Sequence, residues 1–295
     1  MATSITTIRR EVTKIKLDGL DGTAKQYIED FEKHLILKQK SPNTTNGYIF
    51  TLKQYFLKFG SKITQKKLQE YKLFLIKNFK AKTVSNRIVA INEFLKIIGK
   101  RDWVLEQVKF QKKTFLENVI SNADYEYLKS TLKKEGKTFW YFVVRFLGAT
   151  GARISEFVEF KVEHIKMGYL DIYGKGNKLR RIYIPKLLQE EALDFWINER
   201  KQESGFLWLN TRGERYTARG IAFNLKEFAI QYGIRKEVMY PHSFRHRFAK
   251  NFIEKYNDIA LLADLMGHEN IETTRIYLRK TADEQKELVD KMVTW

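Results

Sequence analysis

The chain of 295 residues contains no cysteine. The missing thiols exclude disulfides, thiolate zinc sites and cysteine nucleophiles, and they fit a reducing compartment. No apolar run reaches the roughly 18 residues that a membrane-spanning helix needs, and the first 20 residues hold no apolar stretch of signal-peptide length. We therefore expect a soluble, cytoplasmic protein with no membrane partner.

Several catalytic signatures are also absent from the sequence. The acidic residues do not form the paired carboxylates that hold two Mg²⁺ ions, the histidines lack HExxH spacing, and no Gly-x-Ser-x-Gly elbow occurs. The glycine turn at 174–178 opens no helix and therefore lacks the context of a P-loop. Metal catalysis is disfavoured, and phosphate chemistry would have to use arginine, histidine, lysine and a hydroxyl.

Acidic residues are scarce in the first third of the chain. The formal net charge is +19, and between residues 33 and 113 there are 19 basic residues but only four acidic ones, whereas residues 119–295 carry 30 basic and 24 acidic residues. A lysine-rich surface can reflect solubility alone. Neutralising a phosphate backbone, however, requires a high local excess of basic over acidic residues. We therefore expect the first third to bind nucleic acid.

Apolar residues recur at helical spacing in the first third, and the segments are separated by clear punctuation. Ser41-Pro42 is typical of a helix start, because serine caps well and proline is tolerated in the first turn, and Gly60 and Gly99 mark helix ends. We predict helices over residues 23–38, 42–60, 64–79 and 82–98. Together they should form a small helical bundle.

The rest of the chain is expected to be mainly α-helical with one small antiparallel sheet. Residues 169–173 and 181–184 alternate β-formers with polar residues around the glycine turn, so they should pair as a hairpin. Helical patterns flank the hairpin at 124–134, 140–147, 187–200, 218–232, 243–255, 259–266 and 273–293. The predicted domains are an N-terminal extension (1–20), a basic helical domain (21–105), a linker (106–119) and a second domain (120–295).

Two segments carry basic side chains near glycines. Arg153 follows a glycine after a buried helix, and its planar, permanently charged fork suits phosphate oxygens. An ion pair with Glu156, one helical turn further on, explains the presence of Arg153 at this position equally well. Lys175 and Lys178 lie in the glycine turn, where they could reach a groove or donate a proton, although a solvated hairpin tip is the simpler interpretation.

A third segment begins a helix with a histidine and an arginine. His242 and Arg245 are three residues apart on one face, at a helix start that also favours an anion. An ordinary basic helix face is the alternative. We interpret His246 and Arg247 beside them as supporting or surface residues.

The fourth segment follows a predicted helix end at Gly267. His268 comes directly after this glycine, and Tyr277 lies nine residues further along the chain. Taken alone, Tyr277 is best interpreted as a core aromatic, because most tyrosines on helices pack.

Together, these segments resemble the tyrosine recombinases, the phage-integrase and Xer-like enzymes that cut and rejoin DNA through a phosphotyrosine. The matching sequences are ATGARISE at 149–156, GKGNKLRRIYIP at 174–185, HSFRHRFA at 242–249 and LMGHENIETTRIY at 265–277. The resemblance covers the whole second domain in the family's order, and the basic bundle resembles the family's core-binding domain. It implies a helical core-binding (SAM-like) domain followed by a mainly α catalytic domain with a small antiparallel sheet.

The resemblance also implies a role for each matching residue. Tyr277 is the expected nucleophile, and Arg153 and Arg245 are expected to clamp the non-bridging oxygens of the scissile phosphate. His242 and His268 complete the phosphate-binding set, and His242 is the expected acceptor of the Tyr277 proton.

Further expectations concern the leaving group and the cofactors. Lys175 is the expected general acid, with Lys178 the weaker candidate, and Glu156 is expected to orient the site. A covalent phosphotyrosine keeps the phosphodiester bond energy, so no cofactor, metal or ATP is expected.

The implied partner is double-stranded DNA, cut by a homotetramer on two recombining sites, with an accessory directionality protein as a further possible partner. Leu288, Met292 and Trp295 near the chain end suggest a docking helix, in trans as in relatives or in cis. A type IB topoisomerase and a non-cutting DNA-binding regulator of the same fold are the alternatives.

Overall fold

The computed structural model describes residues 19–109, 118–173, 179–268, 270–278 and 289–292. The chain divides into two compact units, Met1–Lys112 and Lys113–Trp295. This division falls inside the predicted linker. In the described residues, no helix is both long enough and apolar enough to cross a bilayer.

The first unit is a helical bundle. Its helices are α1 (Gly22–Leu37), α2 (Pro42–Phe59), α3 (Gln65–Asn78) and α4 (Ala81–Ile97), followed by a 3-10 turn, Arg101–Trp103. Asp21, Ser41 and Thr64 cap the first three helices through their side-chain oxygens. The predicted helices are therefore confirmed, each to within one residue, and local capping chemistry defines where the first three begin.

The second unit is mainly helical around one hairpin. Its helices are α5 (Asn122–Lys134), α6 (Thr138–Thr150), α7 (Ile154–Phe157), α8 (Val162–Met167), α9 (Lys186–Leu193), α10 (Ala218–Gln231), α11 (Pro241–Tyr256) and α12 (Ile259–Met266). Strands β1 (Tyr169–Tyr173) and β2 (Leu179–Tyr183) pair antiparallel, with Tyr169 opposite Tyr183. The fold class predicted from the sequence is confirmed, although β2 begins two residues earlier than expected.

The core of the second unit forms around α6, the almost wholly apolar helix. Phe142, Val143, Phe146 and Leu147 on this helix are buried, as the sequence predicted. The helix contacts both α5 and α11. Because it is packed on most sides, it holds the start of α7 and the first half of α11 in a fixed relation.

The segment after α12 differs from the prediction of one long helix from residue 273. Residues 271–278 form two 3-10 turns, Ile271–Thr273 and Arg275–Tyr277. The buried Thr274 places its Oγ1 2.7 Å from His268 Nδ1, and the Asn270 side chain accepts a hydrogen bond from the Glu272 N–H. These local side-chain bonds compete with helix formation. Residues 289–292 are helical, whereas Leu288 and Trp295 of the predicted docking helix lie outside the described residues.

Candidate active site

A sharp corner between α6 and α7 positions Arg153. Gly151 ends α6 with a left-handed φ of 60°, and a Cβ on it would come within 2.6 Å of the Phe248 ring. Arg153 then opens α7, and both its N–H and its Nη1 donate to Glu156, at 2.7 and 2.8 Å. The pairing that the sequence allowed is therefore present, but it leaves Nη2 free to bond elsewhere.

Arg245 lies in the first half of α11 and is 4% exposed. Its Nη1 donates to the Gly151 carbonyl and its Nη2 to the Met266 carbonyl, both at 2.6 Å. Both carbonyls belong to the ends of other helices. The guanidinium is thus fixed by the backbone and not by a carboxylate.

The C-terminal end of α12 holds three arginines together. Three successive carbonyl oxygens there each accept a hydrogen bond from a different guanidinium. The pairs are Arg180 Nε with Leu265 at 3.0 Å, Arg245 Nη2 with Met266 at 2.6 Å and Arg153 Nη2 with Gly267 at 2.7 Å. The last carbonyls of a helix lack intrahelical donors and lie at its negative end, so cations are stabilised there. We name Arg153, Arg180 and Arg245 the arginine cluster.

The arginine cluster carries more positive than negative charge. Glu156 is the one carboxylate that bonds to it among the described residues, and Arg180 donates to both Glu156 oxygens, at 2.7 and 2.6 Å. Burial alone would raise the pKa of Glu156, but Arg180 and Arg153 outweigh it and hold that pKa below its ordinary value. Burial, with repulsion from Arg153 and Arg180, lowers the pKa of Arg245 to about 9. Two charges remain uncompensated, so the cluster is suited to an anion.

His268 is bonded on both ring nitrogens. Its Nδ1 lies 2.7 Å from Thr274 Oγ1, and its Nε2 lies 3.2 Å from Arg245 Nη2. Because a guanidinium only donates, Nε2 must accept, and Nδ1 carries the proton of a neutral ring. Burial and the charges of Arg245 and Arg153 lower the pKa of His268 to about 4, in agreement with this tautomer. Arg153 and His268 also line a cleft of about 610 Å³, which leaves the cluster open to a ligand.

Tyr277 is a buried aromatic with one polar contact. Its ring is 8% exposed and packs in an apolar cluster with residues of α11 and α12, among them Ile253 and Met266. The hydroxyl lies 2.8 Å from His246 Nδ1. Burial raises the pKa of Tyr277 to about 12, although Arg245 acts in the opposite direction. Tyr277 is therefore both the core aromatic that its residue type predicted and a protonated phenol whose pKa Arg245 influences.

His246 supports the candidate nucleophile directly. The sequence predicts a supporting or surface residue at this position, and the structure places its Nδ1 against the Tyr277 hydroxyl. The available signal was its position, one helical turn after His242 and therefore on the same face. His242 itself is exposed in the first turn of α11 and makes no hydrogen bond within the described residues; partial burial, Arg245 and Arg153 lower its pKa.

The other predicted site residues fall into two groups. Arg153 bonds to Glu156 and Arg245 to His268, and the two arginines bond to the successive carbonyls of Gly267 and Met266. Lys175 and Lys178 lie outside the described residues. No group of three or more His, Asp or Glu placed to hold a metal ion occurs in the described part of the chain.

Replacing Gly267 should disturb the arginine cluster. Gly267 has a left-handed φ of 59°, and an added Cβ would lie 2.2 Å from Cδ of Arg180, which is held by Glu156 and the Leu265 carbonyl. The Gly233→Ala control carries the same kind of φ, 67°, with open space around the Cβ, and should lose only about 1–2 kcal/mol of unfolding free energy. Gly267→Ala should lose clearly more in urea unfolding. Equal losses would show that Arg180 moves aside freely.

Comparison with known proteins shows the family of the chain. Residues 99–284, more than half of the chain, match the model of the phage integrase family. The chain is 28% identical to the tyrosine recombinase XerA of Pyrococcus furiosus over 274 aligned residues. The alignment covers 90% of this chain and 93% of XerA.

Two solved structures share the fold. The XerH site-specific recombinase bound to difH substrate matches with a TM-score of 0.67 and 19% identity, over 97% of this chain and 93% of that one. A lambda integrase dimer bound to a COC′ core site matches with a TM-score of 0.70 and 16% identity, over 98% of this chain and 87% of that one. The resemblance found in the four sequence segments is confirmed: the chain belongs to the phage integrase family of tyrosine recombinases.

Proposed function

We propose that this chain is a site-specific recombinase that cuts and rejoins double-stranded DNA through a 3′-phosphotyrosine at Tyr277. The observation that carries the proposal is a buried phenol beside an arginine cluster with two uncompensated charges. A phosphodiester brings one negative charge to such a site. The cluster is open to it through the cleft next to Arg153 and His268.

The arginine cluster suits the charge changes of phosphoryl transfer. As Tyr277 Oη bonds to phosphorus and the bond from phosphorus to the 5′-oxygen breaks, negative charge grows on the non-bridging oxygens. Arg245 and Arg153 are already fixed by backbone carbonyls, so little reorganisation is needed when that charge develops. His268, held neutral by its two partners, can donate its remaining proton only by giving up the Thr274 contact.

The leaving 5′-oxygen requires a proton from a general acid. Lys175 remains our candidate for this role, with Lys178 second, on the resemblance alone. The released 5′-hydroxyl, or one from a second DNA, can then attack the phosphotyrosine and restore a phosphodiester. Because the bond energy is conserved in the covalent intermediate, we propose that neither ATP nor a metal cofactor takes part.

Support for DNA as the partner comes from the chain and from its relatives. The first unit carries the local basic excess, and solved structures of two proteins with this fold contain DNA sites. We propose that residues 21–105 bind the duplex, that residues 106–119 link them to the catalytic domain of residues 120–295, and that four copies assemble on two sites. An accessory protein could set the direction of exchange.

Covalent capture tests the proposal. Tagged protein is expressed in cells of the source organism, denatured, purified with any attached DNA, and analysed by sequencing of the DNA and by peptide mapping. We expect one recurring DNA sequence attached to the peptide that contains Tyr277. An adduct on another residue, or breakage that requires a divalent ion, would contradict the proposal.

The same material separates the alternatives. Strand exchange between two copies of the captured sequence is expected of a recombinase. Supercoil relaxation without exchange would indicate a type IB topoisomerase, and the absence of any adduct would indicate a non-cutting DNA-binding regulator.

A further inference from the structure

We infer that His246, and not His242, accepts the proton of Tyr277 when the tyrosine attacks DNA. This inference rests on the proposed function and assigns a catalytic role to a residue of the HSFRHRFA segment for which the resemblance implied none. Its basis is the contact between His246 Nδ1 and the Tyr277 hydroxyl, at 2.8 Å.

The contact belongs to a rigid part of the fold. His246 lies inside α11, directly after Arg245, whose guanidinium is fixed by the Gly151 and Met266 carbonyls. The phosphate clamp and the proposed proton acceptor therefore share one turn of one helix. A phosphate bound by Arg245 would be close to the hydroxyl that His246 orients, because Arg245 acts electrostatically on that hydroxyl.

The protonation states allow His246 to act as an acceptor. Burial, together with the charges of His242 and Arg245, lowers the pKa of His246 to about 4, so the ring is neutral at physiological pH. Burial keeps Tyr277 protonated, with a pKa of about 12. The phenol therefore donates and Nδ1 accepts, which places the ring proton on Nε2. A neutral imidazole already hydrogen-bonded to the nucleophile is the usual geometry of general base catalysis.

The proton balance of the reaction is complete with this assignment. The Tyr277 proton passes to His246 Nδ1 as the bond from Oη to phosphorus forms, and the bond to the 5′-oxygen breaks with a proton from the general acid proposed above. In the rejoining step, the deprotonated general acid takes the proton of the attacking 5′-hydroxyl as its oxygen bonds to phosphorus. The bond from phosphorus to Oη breaks, and protonated His246 returns its proton to the departing phenol. Each residue thus recovers its starting state after one cycle.

His242 is less well placed for this role. It is exposed at the start of α11, its ring centre lies 6.4 Å from that of His246, and within the described residues it makes no hydrogen bond to Tyr277. The first turn of a helix presents free N–H groups and favours an anion. His242 is therefore better suited to a phosphate oxygen.

The test combines histidine variants with a more acidic nucleophile. The substrate is a nicked duplex of the sequence recovered by covalent capture, cleaved in a single turnover. His246→Ala should cleave it about 100-fold more slowly than the wild type, with unchanged DNA affinity in gel-shift titration. Introducing 3,5-difluorotyrosine at position 277 gives a more acidic phenol, which depends less on a base to lose its proton. With this phenol, the cleavage rate of His246→Ala should be lower than that of wild type by only about tenfold or less.

Three further variants make the test specific. His242→Ala should show the same loss with either phenol, because it acts on the phosphate. The side-chain oxygen of His246→Asn can accept a hydrogen bond but cannot take up a proton, so its cleavage rate should lie between those of wild type and His246→Ala. This variant also serves in place of His246→Ala if the alanine variant does not fold. His164→Asn changes a histidine whose Nδ1 accepts from the Lys161 N–H, and should cleave as the wild type does.

The outcomes separate this inference from the proposed function. The assignment of His246 would be overturned if the His246 variants cleaved at a rate within about threefold of wild type. It would also be overturned if the fluorinated phenol reduced the loss of cleavage rate in His242→Ala but not in His246→Ala. A wild-type protein that forms no adduct at Tyr277 would instead overturn the proposed function.

Discussion

The Tyr277→Phe variant is expected to form no covalent adduct with DNA while binding the same DNA as tightly as the wild type. The substitution removes one oxygen and leaves the ring in its apolar cluster with Ile253 and Met266. Its structural cost should be small, about 1 kcal/mol for the hydrogen bond to His246. Single-turnover cleavage of a nicked duplex, read as protein bound to DNA on a denaturing gel, measures the effect.

Tyr240→Phe is the matched control for this prediction. Tyr240 directly precedes α11 and is close enough to Tyr277 to raise its pKa, so it is a neighbouring phenol that could attack DNA in its place. The Tyr240→Phe variant should form the adduct at the wild-type level. Should Tyr277→Phe keep the adduct and Tyr240→Phe lose it, the nucleophile would be Tyr240 and the proposed arrangement would be wrong.

Features that depend on neighbours in sequence could be predicted without a structure. Ser41 caps α2 through its Oγ, which accepts from the Thr44 N–H, and Pro42 begins the helix. Gly267 ends α12 in a left-handed conformation and places His268 just past the helix. In both cases the deciding interaction spans a few residues, so the residue types alone indicate the structure.

Features that depend on distant contacts could not be predicted in this way. The part played by Arg180 exists only because its Nε reaches the Leu265 carbonyl, 85 residues away, while its Nη1 reaches Glu156. In the sequence it is one of two adjacent arginines on a strand. The contact of His246 with Tyr277 likewise depends on the path of the chain after α12, which brings Tyr277 back against α11. A pattern of residue types does not show that path.

The role of Tyr277 shows how two interpretations of one residue can both hold. Its residue type favours a packed aromatic, and the ring is indeed buried. The family resemblance favours a nucleophile, and Arg245 of the arginine cluster acts on the pKa of the hydroxyl. Burial holds the ring in place, and it also raises the pKa of the Tyr277 hydroxyl. Because Arg245 lowers that pKa, the positive charge of Arg245 partly offsets the effect of burial.

Arg245→Ala is expected to reduce cleavage by about 10³-fold or more. Arg245 bonds the carbonyls of Gly151 and Met266 and the ring of His268, so its loss removes the proposed phosphate ligand and one of the two hydrogen-bond partners of His268. Arg245→Lys should be nearly as impaired. A single ammonium cannot bond all three partners, and burial among the other arginines would favour its neutral form. Single-turnover cleavage and gel-shift titration measure the chemical and binding effects separately.

Arg247→Lys is the control for charge and position on the same helix. Arg247 stacks on the Tyr125 ring, with its guanidinium carbon 3.7 Å from the ring centre, and has no part in the arginine cluster. We expect this variant to cleave within a few-fold of the wild type. Its thermal unfolding, compared with that of the Arg245 variants, separates loss of fold from loss of chemistry.

A substrate with a methylphosphonate at the scissile position tests what Arg245 neutralises. Replacing one non-bridging oxygen with a methyl group removes the negative charge that the guanidinium would balance. The deficit of Arg245→Ala relative to wild type should therefore become much smaller on this substrate than on the natural phosphodiester. An equal deficit on both substrates would mean that Arg245 acts by holding Gly151 and Met266 together, and that the anion is neutralised by Arg153 and Arg180 alone.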